Sequence, residues 1–452
     1  MDVGTSPRQY LVGDYRQVVV LSRQTSRSLL EGTILEFAAA MLFDPYVPTR
    51  TQHAIEVRVR TARSAPAVLR LNETDHALLE RGHERERAPG RDGKQERNRE
   101  PEQAGEGGRG PRQVREVELV EPHVSHRGQH YFRHTFGNLP SDTQWSLSVQ
   151  QGPEHATLTV STLPSPPGRE KLRVGLLADL HLSQEQTSID AYGSTTKRLY
   201  GLSRELAGKY LQRLADLGAD VIVLLGDVVD PCTPQTLSNL RALLESSRVP
   251  VYPIIGNHEP WSPDGESRFY RALDLPVGGY CAVRRNGVRL VLLSTPSPDA
   301  VGPRSAQRRW LESELASAAP GEDVVLFSHF SLLLHPCVQG SNDDGYQLLD
   351  SHRELLGLLR SFPQVRAFVA GHKNVPSLVV ANGIAHTLSP QLIQAPCGYD
   401  LLHLFAGGLG RTTYEIDEQH YVEVARAAYG GRFAERYGTD AARNFVRVYP
   451  SR

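Results

Sequence analysis

The sequence predicts a layered α/β domain preceded by an all-β sandwich. Three observations predict it: short, often alternating strands before residue 165, a Pro-rich break at "TLPSPPGREK", and a regular alternation of apolar strands with amphipathic helices after that break. A chain of 452 residues has room for two or three domains and at least one sizeable core. The change of pattern sets the expected boundaries at 1–165, 166–416 and a helical C-terminal extension at 417–452.

In the first part, "YRQVVVLS", "HAIEVRVRT", "PAVLRLNE", "VREVELVE", "QHYFRHTF" and "WSLSVQQGPEHATLTVSTL" are rich in Val, Thr, Leu and aromatic residues. Such segments suit a pleated, half-buried surface and suggest a β-sandwich, which resembles the fibronectin- and immunoglobulin-like domains. They are interrupted by Arg81 to Arg112, almost devoid of apolar residues and mixing both charge signs with Gly and Pro. Such a stretch buries too little surface to offset the entropy of ordering, so a disordered insertion is expected at about 81–114.

After the break, "LRVGLLADLH" is a nearly continuous apolar run, as in a strand covered on both faces. "TKRLYGLSRELAGKYLQRLADLGA" has Leu at helical spacing and a Gly stop near its end. "DVIVLLGDVVD", the helix "TPQTLSNLRALLESS" and the strand "VPVYPIIGNHE" follow, then "VRLVLLSTP", helix "SAQRRWLESELASA", "EDVVLFSHF", helix "DSHRELLGLLRSF" and "VRAFVAGHK". This order implies right-handed βαβ units and a largely parallel sheet. "AHTLSPQL" and "YDLLHLFA" read as closing strands, and "EQHYVEVARAAYGGRFAERYG" as a terminal helix.

Composition narrows the function classes. With 50 basic against 51 acidic residues there is no global charge to attract nucleic acid or an anionic membrane. The 4 cysteines, Cys232, Cys281, Cys337 and Cys397, have no CxxC spacing, which argues against a zinc knuckle or disulfide scaffold. The first residues lack a basic segment followed by an apolar one, and "LLEGTILEFAAAMLF" carries Glu31 and Glu36 and falls short of a membrane span. A soluble, cytoplasmic protein is expected, with association through the N-terminal part as a further option.

In an open α/β sheet, ligands bind beyond the carboxyl ends of the strands. Here the apolar runs end in Asp179 and His181, Asp227, Asn257 and His258, His329, and His372. One Asp or His at a strand end is usually a cap or a turn residue; the whole series at one sheet edge points to a site. Asp, Asn and His without Cys form a mixed oxygen and nitrogen donor set suited to Mn, Fe or Zn. The donors are too many for one tetrahedral ion, whereas two ions about 3.5–4 Å apart sharing a carboxylate would account for them.

In order, "ADLH", "GDVVD", "GNHE", "SHF" and "GHKN" resemble the calcineurin-like metallophosphoesterases, whose pattern is D-x-H, G-D-x-x-D, G-N-H-E/D, H and G-H-x-H. The resemblance spans roughly Lys171 to Ala406 and implies two packed sheets flanked by helices in four layers, with a dinuclear centre. It implies Asp179 and His181 on the first metal, Asp227 bridging both, and Asn257, His329 and His372 on the second. His258 would sit over the phosphate as acid or charge stabiliser, while a metal-bridging hydroxide attacks phosphorus. Asp230 would steady His181 or a neighbouring imidazole, and Glu259 would orient His258 or cap the next helix.

Where the family ends its last motif in His, this chain has Asn374, a neutral and weaker donor for the first metal. His386 is a candidate replacement, and Arg198, Tyr192, Arg268 and Asn342, in the loops that follow the motifs, are candidates to meet a phosphate or leaving group. The expected activity is hydrolysis of a small phosphomonoester or phosphodiester with two divalent ions. The alternative is a scaffold on the same fold. His258 favours the enzyme, because a scaffold has no use for a proton donor.

Overall fold

Strand alternation builds the molecule outward from its buried runs. The computed structural model describes residues 43–74, 114–126, 128–183, 198–335, 349–429 and 436–449. The expected strand at Tyr15 to Ser22, the charged insertion, Tyr192, Asn342 and most of the loops after His181 and His329 lie outside the described residues.

Strands β1 (Phe43–Arg50), β2 (Ile55–Thr61), β5 (Val124–His126) and β6 (Gln129–Phe136) form a four-stranded sheet in the order β1-β2-β6-β5. A second four-stranded sheet is ordered β4-β3-β7-β8, from β3 (Ala67–Glu73), β4 (Val114–Leu119), β7 (Gln144–Gln151) and β8 (Glu154–Ser161). All pairings within both sheets are antiparallel. Alternate residues of the two sheets, among them Ile55, Val57 and Val59 on β2 and Trp145, Leu147 and Val149 on β7, share one buried core.

Beyond the Pro-rich break two six-stranded mixed sheets form. One is ordered β11-β10-β9-β18-β19-β20, from β9 (Glu170–Leu177), β10 (Val221–Leu225), β11 (Val251–Ile254), β18 (Gly398–Phe405), β19 (Gly408–Glu415) and β20 (Asn444–Val448). The other is ordered β12-β13-β14-β15-β17-β16, from β12 (Cys281–Arg285), β13 (Val288–Leu292), β14 (Asp323–Ser328), β15 (Val365–Ala370), β16 (Ser377–Ala381) and β17 (Ile384–Leu388). Strands β9, β10 and β11 run parallel, as do β13, β14, β15 and β17, which sends their carboxyl ends to one edge of each sheet.

The layering follows from alternation along fully buried strands. On β10, Val221, Val223 and Leu225 face the other sheet, where Leu290, Phe327 and Val369 meet them. Ile222 and Leu224 face the opposite way, toward helices α1 (Ser203–Asp216) and α2 (Pro234–Ser246), which contribute Leu206, Leu214 and Leu240. Val324, Leu326 and Phe368 likewise face α4 (Ala306–Ala316) and α5 (His352–Arg360), completing four layers. Each such side chain contributes ~1.5–3 kcal/mol on burial. The α2 start matches its sequence signals: Thr233 caps the helix with Thr236 in a reciprocal box, and Pro234 occupies the first turn. Helix α3 (Gly265–Ala272) follows the third strand end.

The segment after residue 416 is more than the helical extension expected. Helix α6 (Gln419–Tyr429) and short helix α7 (Asp440–Arg443) lead into β20, which pairs antiparallel with β19. The alternation of apolar residues in "NFVRV" is too short to be distinguished from a frayed helix end without its pairing partner.

The first antiparallel sheet meets the edge of the β9-containing sheet through polar clasps. Thr49 Oγ1 donates to the Thr413 carbonyl at 3.1 Å, and Arg60 pairs with Glu423 at 2.8 Å. Arg58, only 3% exposed, donates to Glu56 at 2.7 Å, to Glu415 Oε1 at 2.8 Å, and to the carbonyls of Ile416 and Glu415 at 2.9 and 3.1 Å. No helix among the described residues is long and apolar enough to cross a membrane.

Candidate metal centre

The loops after β9 and β10 zip together. The His181 and Leu182 N–H groups donate to the carbonyls of Asp227 and Val228, both at 2.9 Å. This backbone pairing sets Asp179 and His181 beside Asp227. From the neighbouring sheet, the His372 N–H donates to Asp179 Oδ2 at 3.0 Å, and from the loop after β11, in the same sheet as β9 and β10, the His258 N–H donates to Asp227 Oδ1 at 2.9 Å. Asp179, His181, Asp227, His372 and Asn374 all hold positive φ, between 43° and 64°. Left-handed backbone at non-Gly residues is uncommon and costs free energy, and it concentrates where side chains must be aimed at a site.

Three clusters of donor atoms result: Asp179, His181 and Asp227; Asp227, His329 and His372; and His181, Asp230 and His258. Asp227 belongs to the first two. His329 Nε2 lies 3.3 Å from Asp227 Oδ2, 2.9 Å from Asn257 Oδ1 and 3.1 Å from His372 Nδ1. Its Nδ1 faces the Leu225 carbonyl at 2.9 Å, so Nδ1 carries the proton and Nε2 is the atom presented to the cluster. Of the sequence-predicted ligands, Asp179, His181, Asp227, Asn257 and His329 are buried, His372 is partly exposed, and Asn374 is 5% exposed.

The electrostatics are those of a site built for positive charge. Burial pushes the Asp179 carboxyl up to about 6 and His181 down to about 4. Burial opposes charge on His329 as well, but the carboxylates of Asp227 and Asp179 outweigh it and raise it to about 9. Asp227, despite its burial, is held well below the usual range by His329 and its other imidazole neighbours. Burial lowers His372 strongly.

A divalent cation fits these residues. Asp179 Oδ1, both ring nitrogens of His181 and Asn374 Oδ1 are buried without hydrogen-bond partners, an arrangement that is costly unless something binds there. The motif glycines leave the carboxylates room. A Cβ at Gly256 would lie 2.3 Å from Asp227 Oδ1, and one at Gly371 2.9 Å from Asp179 Oδ2.

Around the cluster, Asp230 Oδ2 accepts from His258 Nδ1 at 2.8 Å and lies 3.3 Å from His181 Nδ1. Burial works against its charge, yet the two imidazoles hold its carboxyl below the usual range. Glu259 neither touches the His258 ring nor caps a helix. Fully buried, it accepts the N–H groups of Val228 at 2.6 Å, Val229 at 3.1 Å and Gly256 at 2.9 Å, tying the Asp227 loop to the Asn257 loop. Burial and Asp227 push its carboxyl up to about 7, against the pull of those N–H donors.

His386 does not join the cluster. It sits mid-strand on β17, paired in register with Phe368, and its ring stacks on that phenyl at 6.0 Å; its side chain therefore points to the helix layer. Arg198 comes close enough for its charge to act on Asp179, Asp227 and His181, and it donates to the Tyr200 hydroxyl at 3.0 Å. Arg268 donates instead to the Cys232 carbonyl at 2.8 Å.

Sequence reasoning missed three neighbours of the site. Gln391 Nε2 donates to the Asp179 carbonyl at 2.9 Å, and Gln394 accepts from Asn374. Two buried amides in the apolar run "PQLIQAP" were the available signal. The third, Trp261, is 64% exposed and lies against His258 at 3.7 Å between ring centroids.

Residues 172–376 match the calcineurin-like phosphoesterase family. Among curated proteins, the chain is 26% identical over 248 residues to a 3',5'-cyclic-nucleotide phosphodiesterase of Nostoc sp., covering 51% of this chain and 90% of that one. It is 27% identical over 223 residues to a cAMP/cGMP dual specificity phosphodiesterase of Mycobacterium tuberculosis, covering 47% and 66%. Among solved structures, a dimetal phosphatase from Danio rerio aligns with TM-score 0.44 and 19% identity over 54% of this chain and 96% of that one.

Proposed function

We propose that this chain, whose residues 172–376 match the calcineurin-like phosphoesterase family, is a metal-dependent phosphoesterase that hydrolyses small phosphodiesters, cyclic nucleotides among them, at a two-ion centre. The observation that carries this reading is the place of Asp227 in both the Asp179–His181 and the His329–His372 donor clusters. Asp179, His181 and Asn374 would hold one ion, Asn257, His329 and His372 the other, and Asp227 both. When bound, the ions supply Lewis acidity, acidifying water and neutralising phosphoryl oxygens.

The protein's own groups do the rest. Asp230 accepts the Nδ1–H of His258, which fixes the ring and leaves Nε2 to hold a proton for the departing oxygen. Trp261 covers one face of that ring and limits its rotation. Arg198 adds a fixed positive charge toward the anionic substrate. The names of the curated relatives support a diester over a monoester. In this reading the two antiparallel sheets before the Pro-rich break form the sandwich domain and residues 166–416 the catalytic domain.

The test is metal analysis of chelator-free protein together with Mn²⁺-supported hydrolysis of cAMP, bis-p-nitrophenyl phosphate and p-nitrophenyl phosphate. Two ions per chain and faster diester than monoester turnover, both abolished by Asp227→Ala, are expected. Absence of bound metal and of turnover on all three compounds would overturn the reading.

A further inference from the structure

Residues beyond the family-matched segment set the sense of the Asn374 side-chain amide. Arg436 Nη2 donates to Gln394 Oε1 at 3.2 Å, and a guanidinium can only donate. That contact fixes the amide sense of Gln394, whose oxygen is then the atom facing Asn374. Asn374 must accordingly present its Nδ2, which donates to Gln394 Oε1 at 3.3 Å. Its Oδ1 is left buried and without a partner.

An amide offers one acceptor and one double donor, and only the acceptor can bind a cation. Imidazole at this position would need no such help. An asparagine whose amide is free to turn presents its NH2 part of the time, which repels the ion. The segments that set its sense adjoin the first-metal donors directly: Gln391 holds the Asp179 carbonyl, and Gln394 pairs by backbone with Arg198. Both glutamines lie after residue 376, where the family match ends, and Arg436 lies later still.

We infer that Arg436, acting through Gln394, is a positioning residue that aims Asn374 Oδ1 at the first metal and thereby sets the affinity of that site. The inference rests on the two-ion reading above. Outer partners of metal ligands typically change affinity by roughly 10–100-fold when removed, which is the effect expected here, confined to one of two ions.

The experiment is calorimetric titration of the metal-free full chain with Mn²⁺, with free Mn²⁺ followed by electron paramagnetic resonance. Wild type should bind two ions. Gln394→Leu and Arg436→Met should each weaken one site by about 10-fold or more and leave the other unchanged, whereas Arg436→Lys, which still donates, should bind like wild type. In an Asn374→Asp background both side-chain oxygens accept, so orientation no longer matters and Gln394→Leu should lose its effect. A merely structural role for Gln394 would survive that change. Two undisturbed sites in both Gln394→Leu and Arg436→Met, equal weakening at both sites, or an undiminished Gln394→Leu effect in Asn374→Asp would overturn the inference while leaving the two-ion reading intact. Wild type without bound Mn²⁺ would overturn both.

Discussion

Replacing Arg58 by Met tests how the first antiparallel sheet is fastened to the α/β layers. The guanidinium is nearly fully buried and bridges Glu56 on its own strand to Glu415 and the Ile416 carbonyl at the end of β19. Met fills much of the stem volume, so little of the loss comes from a cavity. Four hydrogen bonds at about 1 kcal/mol net each would give ~4 kcal/mol, and stranding a carboxylate partner in a buried ion pair costs about 3–5 kcal/mol. Glu415 keeps Gln419 at 2.8 Å and Tyr437 at 3.1 Å as donors, which places the expected loss toward the lower end, about 3 kcal/mol. Chemical denaturation followed by far-ultraviolet circular dichroism reads this as a lower midpoint. Metal stoichiometry and turnover per folded molecule should stay at wild-type values, because Arg58 touches none of the donor residues. Glu415→Gln added to Arg58→Met should recover part of the loss by removing the stranded charge. A loss below about 1 kcal/mol would refute the view that this clasp, rather than the surrounding contacts, holds the interface.

Two further outcomes follow from the site. Asp230→Asn should lower kcat by about 100-fold or more with two ions still bound, since His258 loses the carboxylate that fixes its proton; wild-type kcat would remove His258 and Asp230 from the proton transfer. The raised carboxyls of Asp179 and Glu259, at about 6 and 7, each favour the metal-free fold when protonated, so their contribution fades as pH rises through those values. The raised His329 adds stability that is complete below its ordinary value and lost as pH rises through about 9. Asp227, lowered, contributes stability throughout this range and loses it only in acid. Metal binding needs Asp179 and His329 deprotonated, so the melting-temperature increase from Mn²⁺ should grow from pH 5.5 to pH 8. An increase independent of pH would contradict it.

The donor set was legible because parallel strands impose a simple geometry: apolar runs end at one edge, and Asp179, His181, Asp227, Asn257, His329 and His372 are the first polar side chains past those ends. Roles that depend on loops crossing between strands were not legible. Glu259 follows His258 in sequence, yet its carboxylate serves backbone N–H groups some 30 residues earlier. His386 looked available because a strand start and a strand interior read alike; its register with Phe368 turns it to the far face of the sheet. The pairing of β20 with β19, and with it the place of Arg436, depends on contacts that no local pattern encodes.

The backbone at Asn374 gives the departure from the family pattern a second meaning. At φ 59° it sits in the left-handed region, where Asn is among the residues best tolerated after Gly. In the two-ion reading proposed above, Asn374 would be a weaker donor than imidazole on a backbone that suits it. Asn374→His should strengthen the donor, and Asn374→Gly should abolish it while leaving the left-handed backbone easy to adopt. A chain with Asn at this position would then hold its first ion between those two extremes, with the backbone of the turn unchanged.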